Sequence, residues 1–178
     1  MSEVALVIID MLNTYEHRDA TPLRASVARA LPAIQQLLDA ARARNALIVY
    51  VNDNYDQWHA GQRELTERAL GSPHHDLVKP IVPAAETPFV VKARHSIFYE
   101  TQLEYLLRRH GVSRLVLAGQ VTEQCILYSA LDAYVRHFEI CVWSDAVASI
   151  DDDLADAALQ MMERNMHAEI IDEADAAF

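Results

Sequence analysis

The sequence predicts an α/β fold of three layers, in which helices cover both faces of an open, Rossmann-like sheet of about six mostly parallel strands. Strand-like and helix-like segments alternate through all 178 residues. Several strand-like runs are continuously apolar, which is typical of strands buried on both faces of a parallel sheet. No repeat, linker or change of composition divides the chain, so we expect one domain over residues 1–178.

The predicted strands and helices follow the order of a parallel sheet with right-handed crossovers. The strands are Val4 to Ile9, Ala46 to Val51, Phe89 to Val91, Leu115 to Ala118 and, more weakly, Ile140 to Trp143 and Ala168 to Ile171. The first helix begins at an N-cap, Thr21, followed by Pro22, and Pro32 should kink or split it. The other helices are predicted after a capping box at Thr101 and Glu104, from Thr122 to about His137, and from Asp151 to about Asn165.

A long polar segment from Asn52 to Pro88 separates the second and third strands. Its helical pattern is weak and confined to the stretch near Arg63 to Leu70. Long excursions from compact domains are usually lids or binding loops. We therefore expect this segment to border a binding site.

The composition excludes several classes of function. The chain has 15 basic and 26 acidic residues and a net charge of −11, which disfavours nucleic acid as a partner. The N-terminus lacks the pattern of a signal peptide, and no apolar run reaches the roughly 18 residues of a membrane span, so we expect a cytoplasmic protein with no membrane partner. Two cysteines, Cys125 and Cys141, form neither a disulfide framework nor a zinc motif.

Polar residues follow the predicted strands where ligands usually bind in such sheets, at the carboxyl ends. Asp10 ends the first strand, Asn52 and Asp53 end the second, Lys92 ends the third, and Cys125 follows the fourth. Lys92 stands out because the chain has only one other lysine, Lys79. An acid, an amine and a thiol could therefore meet in one crevice.

These residue types in this arrangement suit nucleophilic catalysis. Cys125 falls in the first turn of a predicted helix, where free N–H groups and the helix dipole favour a thiolate. Asp10 is the candidate base, and Lys92 would orient the pair and balance its charge. Each residue also has a simpler explanation: a core cysteine, a turn-forming aspartate and a solvated strand end. An ion pair buried without function is, however, a poor stabiliser.

Five segments in order carry a resemblance to the isochorismatase-like cysteine hydrolases, a family that includes nicotinamidases, N-carbamoylsarcosine amidases and maleamate amidases. They cover nearly the whole chain and surround the residues named above. The segments are Ala5 to Asn13, Ile48 to Tyr55, Val91 to Thr101, Leu117 to Cys125 and Ser144 to Ser149.

The resemblance implies a catalytic triad of Asp10, Lys92 and Cys125, with the cysteine as nucleophile and the aspartate as base and later acid. It also implies a cis peptide at Val121-Thr122 that directs nearby N–H groups to an oxyanion. The implied reaction is cofactor-free cleavage of a small-molecule amide or ureido C–N bond through a thioester. Because family members commonly assemble, a homo-oligomer is expected.

The chain departs from the family pattern at two places. Leu12 stands where the family often has Gln, which leaves the substrate class open. The Asp-x-His metal motif of nicotinamidases is replaced by Asp53-Asn54-Tyr55, and the loop histidines have no zinc-like spacing relative to Asp53. We therefore predict no metal site. True isochorismatases, which cleave a vinyl ether, tend to lack the cysteine, so Cys125 favours C–N hydrolysis.

Substrate contacts are predicted from position alone. Residues that follow the first four strands could border the crevice, and their simpler interpretation is packing; they are Tyr15, His17, Asn54, Tyr55, Trp58, Ile97, Phe98 and Gln120. His95 and Arg94 could bind a carboxylate. Two alternatives remain open, a vinyl-ether hydrolase in which Cys125 is incidental and a catalytically silent relative that binds a small molecule. A nucleotide-binding fold is disfavoured because the chain has no GxGxxG or GxxxxGK[ST] loop.

Overall fold

The computed structural model describes residues 3–178 and contains one six-stranded sheet. All neighbouring strands are parallel, and their order across the sheet is β3-β2-β1-β4-β5-β6. The strands are β1 (Val4–Ile9), β2 (Leu47–Asp53), β3 (Phe89–Lys92), β4 (Arg114–Gln120), β5 (Glu139–Ala148) and β6 (Glu169–Ile171). The predicted α/β fold with about six parallel strands is confirmed.

Among the described residues, five α-helices connect the strands. They are α1 (Ala20–Ala43), α2 (Gln62–Leu70), α3 (Leu103–Arg109), α4 (Leu127–Val135) and α5 (Asp152–Met166). One turn of π-helix, Thr122–Ile126, precedes α4, and short 3-10 turns lie at His75–Leu77, Lys79–Ile81 and Ala174–Ala177. Within residues 3–178, none of the helices is both long and apolar enough to span a bilayer.

The two faces of the sheet each have an apolar core, because successive side chains of a strand point to opposite faces. In β1, Leu6 and Ile8 join the cluster packed under α1. Val7 and Ile9 join the cluster that includes α3 and α4. A strand buried on both sides has no polar face, which explains the continuous apolar run in the sequence.

Two helices, α1 and α3, begin at residues other than those predicted. Helix α1 begins at Ala20, one residue before the predicted cap Thr21, and Pro32 does not split it. Helix α3 begins at Leu103, so the predicted capping box at Thr101 does not form. The Thr101 hydroxyl instead donates to the Ile97 carbonyl at 2.6 Å, which ties Thr101 to the preceding turn.

β2 and β3 lie on one side of β1 in the sheet, and β4, β5 and β6 lie on the other side. The site lies at this switch point between β1 and β4. The chain leaves β1 toward α1 on one face of the sheet and leaves β4 toward α4 on the other face. Diverging connections open a crevice at the carboxyl ends of such strands. Asp10 follows β1 and Cys125 follows β4, so both border this crevice.

Candidate active site

Asp10 is held at the end of β1 by backbone contacts. Its backbone has a positive φ of 57°, and its N–H donates to the Val51 carbonyl at 2.9 Å. The carboxylate Oδ1 accepts a hydrogen bond from the Asp53 N–H at 2.7 Å. Asp10 is buried, so both the direction and the surroundings of its carboxylate are fixed before any substrate binds.

Lys92 reaches Asp10 from two strands away. Because β2 lies between β1 and β3, the two strand ends are separated by roughly 10 Å, and a long side chain is needed to cross that distance. The Lys92 side chain is fully buried, and its Nζ lies 2.8 Å from Asp10 Oδ2. It also donates to the Arg94 carbonyl at 3.0 Å and lies 3.8 Å from Asp53 Oδ2.

Cys125 lies in the π-helical turn after β4 and completes the cluster. Its sulfur is 3.6 Å from Lys92 Nζ and 3.6 Å from His95 Nδ1. The Asp10 carboxylate lies near enough to the thiol to raise its pKa. The structure therefore brings together the three residues predicted from the strand ends. Their catalytic roles stay predictions.

The charges in this cluster keep the thiol protonated. Burial and the neighbouring Asp10 carboxylate raise the pKa of Cys125 to about 12, and Lys92 offsets only part of that shift. The prediction that a helix N-terminus would favour a resting thiolate is therefore wrong, because desolvation and the adjacent negative charge outweigh the dipole.

The pKa values of the Asp10 carboxyl and the Lys92 amine are also shifted. Burial raises the pKa of the Asp10 carboxyl, although Lys92 and hydrogen bonds oppose the shift. Burial lowers the pKa of Lys92, but the charges of Asp10, Cys125 and Asp53 outweigh it and the net shift is upward. A carboxylate with a raised pKa is a stronger base, and an amine with a raised pKa stays cationic.

The cis peptide lies one residue earlier than predicted, at Gln120-Val121 and not at Val121-Thr122. The reason is that β4 continues to Gln120, where it pairs with Ala148, and Thr122 already begins the π-helical turn. The Thr122 hydroxyl donates to the Ala148 carbonyl at 3.1 Å. The proposed oxyanion role of Val121 and Thr122 stays a prediction.

A cavity of about 440 Å³ opens over this cluster. Its floor includes Asp10, Gln120 and Cys125, and helix α2 contributes Leu65, Arg68 and Ala69 to one wall. The long segment between β2 and β3 therefore does border the cavity, as its length and polarity predict. The remaining wall comes from Leu12, Asn13, Thr14, Glu16, His17, Asp19, Leu23, Asp53, Tyr55, His95, Val121, Gln124 and Ile150.

Three of the eight predicted substrate contacts, His17, Tyr55 and Gln120, line this cavity. Tyr15 is buried behind Gln120, and its hydroxyl donates to Gln120 Oε1 at 3.4 Å. Ile97 and Phe98 are core residues of the face that carries α3 and α4. For Tyr15, Ile97 and Phe98, packing is therefore the correct interpretation.

Asn54 and Trp58 also miss the cavity, and instead line a separate depression beside Ala93 and Arg94. The physical reason is the backbone at Tyr55 and at the residue after it, where φ is 47° and 60°. Left-handed residues reverse the direction of the chain, so side chains on either side of them point to different surfaces. Trp58 is 77% exposed.

In the loop between β1 and α1, sequence reasoning named Tyr15 and His17 but missed most of the residues that line the cavity. Asn13, Thr14, Glu16 and Asp19 all line the cavity. The loop is fixed by Asn52, whose side chain accepts from the Leu12 N–H at 2.9 Å and donates to the Leu12 carbonyl at 3.3 Å. The rule that ligands bind beyond the carboxyl ends of strands would have included these residues had it been applied to the whole loop.

Gln120 links this loop to β4. Its Nε2 donates to the Asp10 carbonyl at 2.6 Å, while its Oε1 accepts from the Tyr15 hydroxyl. The loop is thereby tied at Asp10 and at Tyr15 to the last residue of β4, the strand that precedes the cysteine.

Three side chains that could bind a metal ion, those of His74, His75 and Asp53, make other contacts in the structure. His74 Nε2 lies 3.1 Å from Arg24 Nη1, and His75 Nδ1 lies 3.1 Å from the Ser72 carbonyl. Asp53 Oδ1 accepts from the Tyr55 N–H at 2.8 Å. In the part of the chain that the structure describes, no group of three or more His, Cys, Asp or Glu side chains is placed to hold a metal ion.

Comparison with known proteins gives one family. The model of the isochorismatase domain matches residues 4–175. The isochorismatase family protein YaaI of Bacillus subtilis is 33% identical over 97% of this chain and 95% of its own length. The ureidoacrylate amidohydrolase RutB of Agrobacterium fabrum is 27% identical over 88% of this chain and 81% of its own. The crystal structure of N-carbamoylsarcosine amidase from Thermoplasma acidophilum superimposes with a TM-score of 0.73 at 28% identity, covering 98% of each chain.

Proposed function

The chain belongs to the isochorismatase family of hydrolases, and from this premise we propose that it hydrolyses a small-molecule amide or ureido C–N bond with Cys125 as the nucleophile. The observation that carries the proposal is the contact of Asp10, Lys92 and Cys125 at the floor of one cavity. The names of two relatives, an amidohydrolase and an amidase, support the same reaction class.

The first half of the reaction forms a thioester. The Asp10 carboxylate takes the thiol proton as the Cys125 sulfur attacks the carbonyl carbon, and the carbonyl oxygen becomes an oxyanion. Backbone N–H groups near Thr122 and Cys125 are the candidate donors to that oxyanion. When the tetrahedral intermediate collapses, the C–N bond breaks and protonated Asp10 gives its proton to the leaving nitrogen.

The second half restores the cysteine. Asp10, again a carboxylate, takes a proton from water as the water oxygen attacks the thioester carbonyl. The C–S bond then breaks, the proton returns to the sulfur, and the product leaves as the acid. Lys92 neither gains nor loses a proton in this scheme. It stays cationic and holds the carboxylate beside the sulfur.

The resting charges support a base-assisted attack. A thiol whose pKa is raised to about 12 is almost entirely protonated near neutral pH, so the proton has to be removed as the sulfur attacks. Asp10 is the base in this proposal, because the Asp10 carboxylate and the Cys125 sulfur both contact the Lys92 ammonium. A separate population of free thiolate is not required.

Ammonia release from a panel of small amides tests the proposal. The panel contains ureidoacrylate, N-carbamoylsarcosine, nicotinamide, succinamate and succinamide. We expect at least one compound to release ammonia, and Asp10→Asn to slow that release by about 10²- to 10⁴-fold, the usual contribution of a general base. Asp156→Asn, an exposed change on α5, is the matched control and should leave the rate unchanged. No release by the parent, or equal rates for the parent and Asp10→Asn, would contradict the proposal.

A further inference from the structure

The wall of the catalytic cavity carries more negative than positive charge. Its carboxylates come from Asp10, Glu16, Asp19 and Asp53, and its only guanidinium among the described residues is that of Arg68. Lys92 adds one positive charge beneath the floor. With the histidines counted as neutral, the four acids and two cations give the site a net charge of −2.

Two of the four carboxylates, those of Glu16 and Asp19 at the rim of the cavity, are not neutralised by ion pairs. Asp10 is paired with Lys92 at 2.8 Å, whereas Asp53 lies 3.8 Å from the same amine. Across residues 3–178, Glu16 and Asp19 make no ion pair with any cation. The two rim charges therefore act on whatever enters the cavity.

The nearby arginines do not reverse this field. Arg24 is engaged elsewhere, because its guanidinium donates to the Tyr15 carbonyl and contacts His74. Arg68 on α2 is exposed, as are Glu16 and Asp19, so water screens all three charges alike and the two acids outnumber the one guanidinium. The whole chain adds to the effect with a net charge of −11, and clefts lined by one sign of charge focus that potential.

We propose that this cavity selects neutral or cationic amides and disfavours amides that carry a carboxylate. The inference rests on the proposed function and specifies its substrate class. It separates this chain from any relative that acts on ureidoacrylate, because that compound has a carboxylate. The selection is electrostatic, so it should weaken as salt screens the rim charges.

Charged thiol reagents measure the field at Cys125 without knowledge of the substrate. Two methanethiosulfonates of similar size are used, one with a trimethylammonioethyl group and one with a sulfonatoethyl group, in a Cys141→Ala background at pH 8 and low salt. The rate of each reagent with Cys125 is divided by its rate with 2-mercaptoethanol, which corrects for the intrinsic reactivity of the reagent. We expect the cationic reagent to react with Cys125 at least about tenfold faster, and the ratio to fall in 0.5 M NaCl.

Rim variants assign the field to the residues named. Glu16→Gln with Asp19→Asn should lower the ratio severalfold, whereas Asp156→Asn with Glu163→Gln removes the same number of charges from α5 and should leave it unchanged. A parent ratio near one, or a ratio that the rim variants do not alter, overturns the inference.

Two isosteric amides test the same inference in turnover. Succinamide and succinamate differ only in having a carboxamide or a carboxylate at the far end. Beyond the factor of two for its second amide, succinamide should have a kcat/KM about tenfold higher or more. Equal values with activity still lost in Cys125→Ala would refute the charge selection and leave the proposed function standing. Activity that survives in Cys125→Ala would refute the proposed function itself.

Discussion

Cys125→Ala is expected to lower kcat for amide hydrolysis by at least about 10⁴-fold, the scale of loss when a covalent nucleophile is removed. The sulfur is the atom that attacks the carbonyl, and neither Asp10 nor Lys92 can replace it. The fold should persist, because an alanine leaves the π-helical turn and its backbone bonds intact. Ammonia release and the unfolding midpoint are measured together, so that loss of activity is not confused with loss of structure.

The second cysteine provides the matched control. Cys141 is buried in β5 and belongs to the core cluster under α1, away from the cavity. Cys141→Ala removes the same atom type and should keep the parent's rate within a few fold. Activity of Cys125→Ala within tenfold of the parent would show that the sulfur is not the nucleophile.

Lys92→Met is expected to destabilise the protein by about 3–5 kcal/mol, the cost of breaking a buried ion pair from one side. It leaves the Asp10 carboxylate buried without its cation, and methionine fills most of the space of the lysine stem. Urea unfolding gives the change in the free energy of unfolding. Turnover should be lost as well, because Asp10 then binds a proton of its own and no longer accepts one from the thiol.

Two further variants complete the test of the Lys92 ion pair, a control at Lys79 and a double variant that also removes the Asp10 charge. Lys79→Met, at an exposed position, should alter stability by less than about 0.5 kcal/mol. Adding Asp10→Asn to Lys92→Met should restore part of the lost stability without restoring turnover, since the uncompensated charge is then absent. A double variant less stable than Lys92→Met would contradict the ion-pair explanation.

The convergence of Asp10, Lys92 and Cys125 could be predicted because it depends on topology. Parallel strands end at one edge of a sheet, so residues at the ends of β1, β3 and β4 come together whatever the details of packing. The sheet itself was predictable for a similar reason, since continuous apolar runs such as Val4 to Ile9 suit only a doubly buried strand.

The cavity wall could not be predicted in the same way, because it depends on single backbone conformations. The positive φ at Tyr55 sends Tyr55 into the cavity and Trp58 to another surface. The pKa of Cys125 has a related cause. A helix N-terminus is visible in a sequence, whereas burial and the distance to Asp10 arise only from tertiary packing.

The measurement that most directly tests Asp10 as the base for Cys125 is the pH dependence of Cys125 alkylation by iodoacetamide, in the parent and in Asp10→Asn, both with Cys141→Ala. We expect an apparent thiol pKa above the ordinary value of about 8.5 in the parent. In Asp10→Asn that pKa should fall, because a negative charge is removed and Lys92 remains, while turnover of the best amide falls as well. A parent pKa below 8.5 that the Asp10 change does not move would contradict the account.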